Sequence, residues 1–288
     1  MEKKIFSLFL VSCFLFSFLF SDVIPSNQTS TIKKSPVDTT KLVKDVGPGT
    51  VNWTDYTITA KGWAIIDSSL PMAQAKAMAR RGAEVVAQRN LLEIIKGVNV
   101  YSETKVQDFI TKSDYVYTKI EGVVKNAVII GEPIEKDGTI EVSMGIKIYD
   151  TDGLASAIQK EMPSKNNAKM QLTGTEKTNL SKIEKLAVDI TGIDYEPGIF
   201  PRILDEDGNM IFDASDIDLS KIDYEKAIEY VQNPDELKKD VDGNNTLKAV
   251  KKVGSDIIIA LKDPKTQDWL KKAFDFVITA GKAVLLFI

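Results

Sequence analysis

Residues 73–100, AQAKAMARRGAEVVAQRNLLEIIKGVNV, decide how the first half of this 288-residue chain is read. Strong helix formers run from Met72 to Lys96. Ser68, Ser69 and Pro71 supply a start signal in front of them, and Gly97 a stop behind. Ala75, Ala79, Gly82, Ala83, Val86 and Ile94 recur at three- and four-residue steps. That stripe is narrow and made of small side chains, so it predicts a long helix lying close on a sheet. Arg80, Arg81 and Arg89 fall off the stripe and are expected to form a solvated face paired with Glu84 and Glu93, not an anion site.

Upstream, Tyr56 to Ile66 alternates and is rich in β-branched and aromatic residues, which predicts a strand. Gly62 inside it marks a bulge or a close backbone approach. Downstream, Val98 to Val106 alternates, and Tyr115 to Gly131 reads as a long strand interrupted by Gly122 and ended near Pro133. Lys136-Asp137-Gly138 is a hairpin turn. Thr139 to Tyr149 returns as a strand with Ile140, Val142, Met144, Ile146 and Ile148 on one face, and a short helix is expected over Leu154 to Glu161. The predicted order, β-α-β-β-β, puts one helix on a mainly antiparallel sheet: an α+β fold.

Three stretches carry a family resemblance: Ala60-Lys61-Gly62-Trp63-Ala64, the helix from Ala73 to Val100, and KIEGVVKNAVIIGEPIEKDGTIEVSMGIKI from Lys119 to Ile148. Together they resemble the twenty-kilodalton outer-envelope lipoprotein family and the related N-terminal domain of flagellar assembly protein T. The pattern is an Ala-rich helix ending in Arg-Asn-Leu-Leu and a Gly-Val turn, then a Gly-Val-Val-Lys strand and an Asp-Gly hairpin. Val86 stands where such proteins often have Asp. The resemblance implies an envelope scaffold or assembly role, near a flagellar basal body or the outer membrane. The second half resembles the C-terminal extension of longer envelope proteins of that group.

In that half, Leu186 to Gly192 reads as a strand and Pro201 to Phe212 as a hairpin turning at Asp205-Glu206-Asp207-Gly208-Asn209. Tyr224 to Val231 and Pro234 to Lys239 read as short helices. Thr246 to Leu261 is a strand pair bent at Gly254-Ser255, Pro264 to Phe276 an amphipathic helix with Trp269, Leu270, Ala273 and Phe276 on its apolar side, and Lys282 to Ile288 a terminal strand. A second, smaller α+β domain follows from this order.

The N-terminus is of another kind. Met1-Glu2-Lys3-Lys4 precedes Ile5 to Phe20, a block of apolar residues, Ser and Cys13. As a helix it would span about 24 Å, short of the bilayer core of about 30 Å, so it reads as a secretory signal ending near Ser21. Leu10-Val11-Ser12-Cys13 also fits a lipobox, which would put a lipid on Cys13, and an uncleaved anchor is the third alternative. Asp22 to Gly49 is polar, lacks a hydrophobic period and is expected to be a tether.

Composition removes whole classes of mechanism. Histidine is absent and Cys13 is the single cysteine, so imidazole-dependent triads, His-ligated zinc, internal disulfides and Cys-rich clusters are excluded. Lys plus Arg is 37 and Asp plus Glu is 41, giving a net charge of −4 with the signs interspersed; nucleic acid is not an expected partner. Asp-x-Asp-Gly-Asn occurs at Asp205–Asn209 and Asp240–Asn244. Its glycine sits at position four, where a calcium-binding EF-hand needs it at six, so turn chemistry is expected there. Asp205 and Asp207 are the pair a carboxylate-based hydrolase would use. Trp53, Trp63 and Tyr115 are candidate surface aromatics.

The expected organisation is a signal peptide (1–21), a flexible tether (22–49), a lipoprotein-like α+β domain (50–160), a linker (161–180) and a C-terminal α+β domain (181–288). The expected function is a non-enzymatic exported protein of a bacterial periplasm or outer membrane. It is a scaffold or assembly factor without a catalytic, metal or cofactor site, whose partners are envelope proteins or its own copies. Membrane contact is expected only through the N-terminal segment or a lipid on Cys13. The alternatives are a periplasmic glycan- or ligand-binding module using Trp53, Trp63 and Tyr115, and a carboxylate hydrolase.

Overall fold

A computed structural model describes residues 42–151, 153–162, 172–231, 246–261 and 264–287. The expected signal, Cys13, most of the expected tether, the Pro234–Lys239 helix and the Asp240–Asn244 loop lie outside them. Residues Asp38–Ile288 form one compact unit. The fold is α+β.

The first sheet is antiparallel throughout. Strands β1 (Val43–Val46), β2 (Gly49–Asn52) and β3 (Thr57–Ile65) run in order and continue to β8 (Thr139–Lys147), which carries β6 (Val128–Ile129) and β7 (Ile134–Lys136) along its far side. Helix α1 (Met72–Gly97) crosses β3 and β8 with Ala75, Ala79, Ala83, Ala87, Leu91, Ile94 and Ile95 inward. Ala75, Ala79, Ala83 and Ile94 of the expected stripe are thus inward, joined by Ala87, Leu91 and Ile95, while Gly82 and Val86 are half-buried at its margin. Gly62 is the close approach: a Cβ there would stand within 3 Å of backbone atoms of Ala83 and Ala87. Arg80 and Arg81 lie exposed and pair with Glu84, whereas Glu93 pairs with Lys96.

Several sequence expectations are corrected. The expected tether ends earlier, because Val43–Val46 and Gly49–Asn52 form a hairpin turning at Gly47, whose φ is +57°. Val98 to Val106 is not one strand. It is a tight hairpin of β4 (Asn99–Tyr101) and β5 (Thr104–Lys105), with Ser102 at φ +47°, after which helix α2 (Val106–Lys112) begins. The long strand over Tyr115 to Gly131 is instead helix α3 (Asp114–Lys125) followed by β6. Ser113 caps α3 by accepting from the Val116 amide, and Val116, Ile120 and Val124 bury one face at four-residue steps. Asp137 and Gly138 turn β7 into β8 with φ values of +51° and +72°, as the Asp-Gly signal requires. Helix α4 (Leu154–Gln159) follows.

Within the expected linker stands helix α5 (Gly174–Leu180), closed by a capping box between Thr173 and Glu176. The second sheet is mixed, in the order β11-β10-β14-β13-β9-β15-β12. Its strands are β9 (Lys185–Asp189), β10 (Arg202–Asp205), β11 (Met210–Asp213), β12 (Ile228–Val231), β13 (Thr246–Val253), β14 (Asp256–Ile259) and β15 (Ala283–Phe287). The expected helix over Tyr224 to Val231 is only α6 (Tyr224–Ala227); the rest is β12, which pairs in parallel with β15. Helix α7 (Pro264–Thr279) packs on β11 and β15.

One hydrophobic cluster runs through both sheets. At its centre Tyr56, just before β3, and Tyr149, just after β8, meet Tyr224 of α6 and Tyr230 of β12, with Tyr149 and Tyr224 stacked at 3.8 Å between ring centres. Each buried hydroxyl donates to a backbone carbonyl. Tyr149 and Tyr224 share that of Ile199, Tyr56 uses Ile228, Tyr230 uses Gly198 and Tyr195 uses Ser255. Burial pushes the phenols of Tyr149, Tyr195, Tyr224 and Tyr230 above their ordinary range. They are neutral structural donors, spent on backbone acceptors.

Candidate functional site

The first sheet has two unlike faces because side chains alternate along each strand. Ile58, Ala60 and Gly62 meet α1; Thr57, Thr59, Lys61, Trp63 and Ile65 face the other way. Trp63 is 60% exposed and Ile65 70%. Register fixes their neighbours. Trp63 lies opposite Glu141, which lies opposite Ile134; Thr59 lies opposite Gly145, which lies opposite Val128. Ile134, Val128 and Ile130 are exposed as well. The face thus carries two apolar borders with a polar column between them, Thr139-Glu141-Ser143. Lys61 reaches across to Glu141 at 2.8 Å. Large apolar side chains are thus exposed on both borders of this face, with charged and polar ones between them.

Beside this face lies a groove of about 880 Å³ bounded by α3, β6, the end of β8 and the start of α4. Tyr115, Lys119, Gly122 and Asn126 form one wall, at helical spacing opposite the buried face of α3. Val128 and Ile130 form a second and join the groove to the apolar face. Ile130 folds over Gly145, where a Cβ would stand 3.4 Å from its Cγ1 and closer still to its Cδ1. Lys119, Lys147 and Lys160 border the cavity, and Asp150 is the acidic group among its described residues. The Lys119 ammonium lies 5.8 Å from the centre of the Tyr115 ring. The Asp150 carboxylate accepts from the Thr151 amide at 2.6 Å, so it is engaged by its own loop.

The aromatics named from sequence part company. Trp53 is 3% exposed, packed edge-on against Tyr230, and is a core residue rather than a surface one. Trp63 stands on the open sheet face and Tyr115 in the groove wall, on different elements. Cys13 lies outside the described residues. Asp205 accepts from the Asp207 and Asn209 amides, the Asn209 side chain and Gln267; against the desolvation of its carboxyl, the bonds from Asn209 and Asp207 hold it below the usual range. That carboxylate is consumed in fixing its turn and tying it to α7. Among the described residues no group of three or more acidic, His or Cys side chains is placed to hold a metal, and no helix is long and apolar enough to cross a membrane.

Sequence reasoning missed the groove. Its one available signal was Gly122, a glycine within what proves to be a regular helix.

No protein-family model matches the chain, and no curated protein matches it.

Proposed function

We propose that the protein is a non-enzymatic component of a bacterial cell envelope, exported to the periplasm or outer membrane, that works as a scaffold or assembly factor. It does so by docking a partner protein of the envelope on the open face of the first sheet. The observation that carries this reading is the exposure of Trp63, Ile65 and Ile134 on one face of a sheet whose other face is covered by α1 along β3 and β8. An antiparallel sheet is stable with one wet face, but that face is ordinarily polar. Leaving a tryptophan and two isoleucines in water is a cost that a partner would remove. The resemblance of residues 73–100 and 119–148 to outer-envelope lipoproteins and flagellar assembly protein T supports the same reading. It points to an envelope assembly such as a flagellar basal body.

The test is site-specific photocrosslinking in intact cells from position 63. The expected result is one discrete adduct with an envelope protein, lost when Ile134 is changed to Asp. No adduct, or an adduct indifferent to Ile134→Asp, overturns the proposal; an adduct at twice the mass of the chain redirects it to self-association. Mass spectrometry of the mature N-terminus tests the exported state: a diacylglycerol on Cys13 or a chain starting near Asp22 supports it, and an intact Met1 opposes it.

A further inference from the structure

The open face of the first sheet is not flat. Its central strand, β8, turns Thr139, Glu141 and Ser143 outward, all half-buried. Larger and more exposed side chains rise on either hand. Trp63 stands on one border and Ile134 on the other, in a single register row with Glu141 between them. Neighbouring strands lie about 4.8 Å apart, so the borders are separated by about 10 Å. That separation is close to the diameter of an α-helix with its side chains, about 10 Å. Along β8 the column from Thr139 to Gly145 covers about 20 Å, the length of roughly thirteen helical residues. Ile130, folded over Gly145, closes its far end.

The floor of this trough can be covered without stranding its charges. Lys61 and Glu141 pair with each other at 2.8 Å, and the Thr139 hydroxyl donates to the Lys136 carbonyl at 2.7 Å. Polar groups already bonded within the face lose little when water leaves. The amount of surface is also sufficient. At their exposures, Trp63, Ile65, Val128, Ile130 and Ile134 with Lys61 and Glu141 present area on the order of 700 Å², against about 800 Å² for each side of a stable complex. Shape then selects the occupant. A flat partner sheet would rest on the borders and leave the column empty, and one extended segment would cover a single border. A helix seated over β8 reaches both borders and the floor.

We infer that the partner enters this trough as an amphipathic α-helix, about thirteen residues of it lying along β8. One flank packs on Trp63 and Ile65, the other on Ile134, Ile130 and Val128. The helix is the counterpart of α1, which covers the opposite face of β3 and β8, and it completes a sheet held between two helical layers. The inference rests on the docking reading above and names the kind of element that docks.

The test is photocrosslinking in intact cells with benzoylphenylalanine placed in turn at positions 134 and 128, the partner residues being mapped by mass spectrometry. These positions sit opposite Glu141 and Gly145. They are thus about 13 Å apart along β8, which a helix covers in about nine residues and an extended segment in about four. The expected adducts lie in one partner segment, eight to ten residues apart at this rise of about 1.5 Å per residue. Ser143→Trp, which fills the floor from an outward position, should cut both yields at least tenfold while the melting temperature stays level. Ser143→Ala should leave both unchanged. A spacing of about four residues, the extended-chain value, overturns the helix and leaves the docking reading standing. Adducts on unconnected segments, or full yield in Ser143→Trp, do the same. Adducts joining position 134 to Trp63 of a second copy overturn the helix in favour of two sheets packed face to face. Absence of any protein adduct from positions 63, 128 and 134 overturns both readings together.

Discussion

Gly254 and Ser102 meet backbone to backbone, each at the tip of a turn with positive φ, +58° and +47°. The Ser102 carbonyl accepts from both the amide and the hydroxyl of Ser255, at 2.8 and 3.0 Å. A Cβ on Gly254 would stand within 3 Å of that same oxygen. Two hairpins distant in sequence therefore interlock, and Gly254→Ala is expected to cost about 3 kcal/mol, combining left-handed strain with overpacking. Urea unfolding should show the lowered midpoint; a loss below about 1 kcal/mol would mean that the turns can separate freely.

Gly62→Ala is a second test of packing, with a different cause. The backbone at Gly62 is extended, so no strain arises from φ; the obstacle is the α1 backbone at Ala83 and Ala87. Since α1 cannot yield locally, we expect a loss of about 2–3 kcal/mol. Gly122→Ala should move the other way, gaining about 0.5–1 kcal/mol. Thermal melting followed by circular dichroism distinguishes the two in one experiment.

Arg202 and Asp256 form a largely buried, bidentate pair, with the guanidinium 4.2 Å from the centre of the Tyr101 ring. Asp256 also accepts from the Ser102 amide at 2.9 Å. Burial alone would lower the Arg202 pKa, but the Asp256 carboxylate holds it above its ordinary value. Asp256→Ala should cost about 3–5 kcal/mol by leaving the guanidinium buried without its counter-charge. Replacing both, as Arg202→Met with Asp256→Leu, should cost less than the single change. Chemical denaturation of the three variants checks the order.

Glu176 links α5 to α7. It closes the Thr173 capping box and accepts from Lys272 at 2.9 Å, and these hydrogen bonds, led by that from Lys272, bring its pKa to about 2 from an ordinary 4.5. The unfolded chain therefore binds a proton at Glu176 more readily than the folded one. Its contribution is fully present above about pH 4.5 and is lost as pH falls toward 2. Glu176→Gln should be less stable than the parent at neutral pH and show a shallower decline over that window. Melting temperatures measured from pH 6 to 2 give both curves.

The α1 stripe was legible because its signals are local: spacing, stop residue and small side chains all sit within one run. The same holds for Asp137-Gly138 and the Asp205–Asn209 turn. Helix α3 was not, since Tyr115, Val116, Tyr117 and Thr118 favour strands one by one. The Ser113 cap and the spacing of Val116, Ile120 and Val124 outweigh that preference. Strand β12 was hidden for another reason: its partner among the described strands, β15, is more than fifty residues away, and parallel pairing leaves no turn to announce it. The groove draws on α3, β6, β8 and α4, so no single window of sequence contains it. Trp53 and Trp63 are ten residues apart and equally apolar. Trp53, in the turn between β2 and β3, is buried against Tyr230 of the distant β12, whereas Trp63 stands on the open face of β3, a difference set by tertiary packing.

The placement of β15 has a consequence for how the molecule comes into being. Residues 283–287 lie between β9 and β12, in parallel register with both, although every other described strand precedes them in the chain. Until that segment has emerged, β12 has no strand to join, and Tyr230, carried on β12, cannot take its place beside Tyr56. Loop closure over such distances makes folding slow. The free edge of β9 and the whole of β12 must wait for it, so completion of the second sheet is governed by residues 283–287 rather than by the first helix to form.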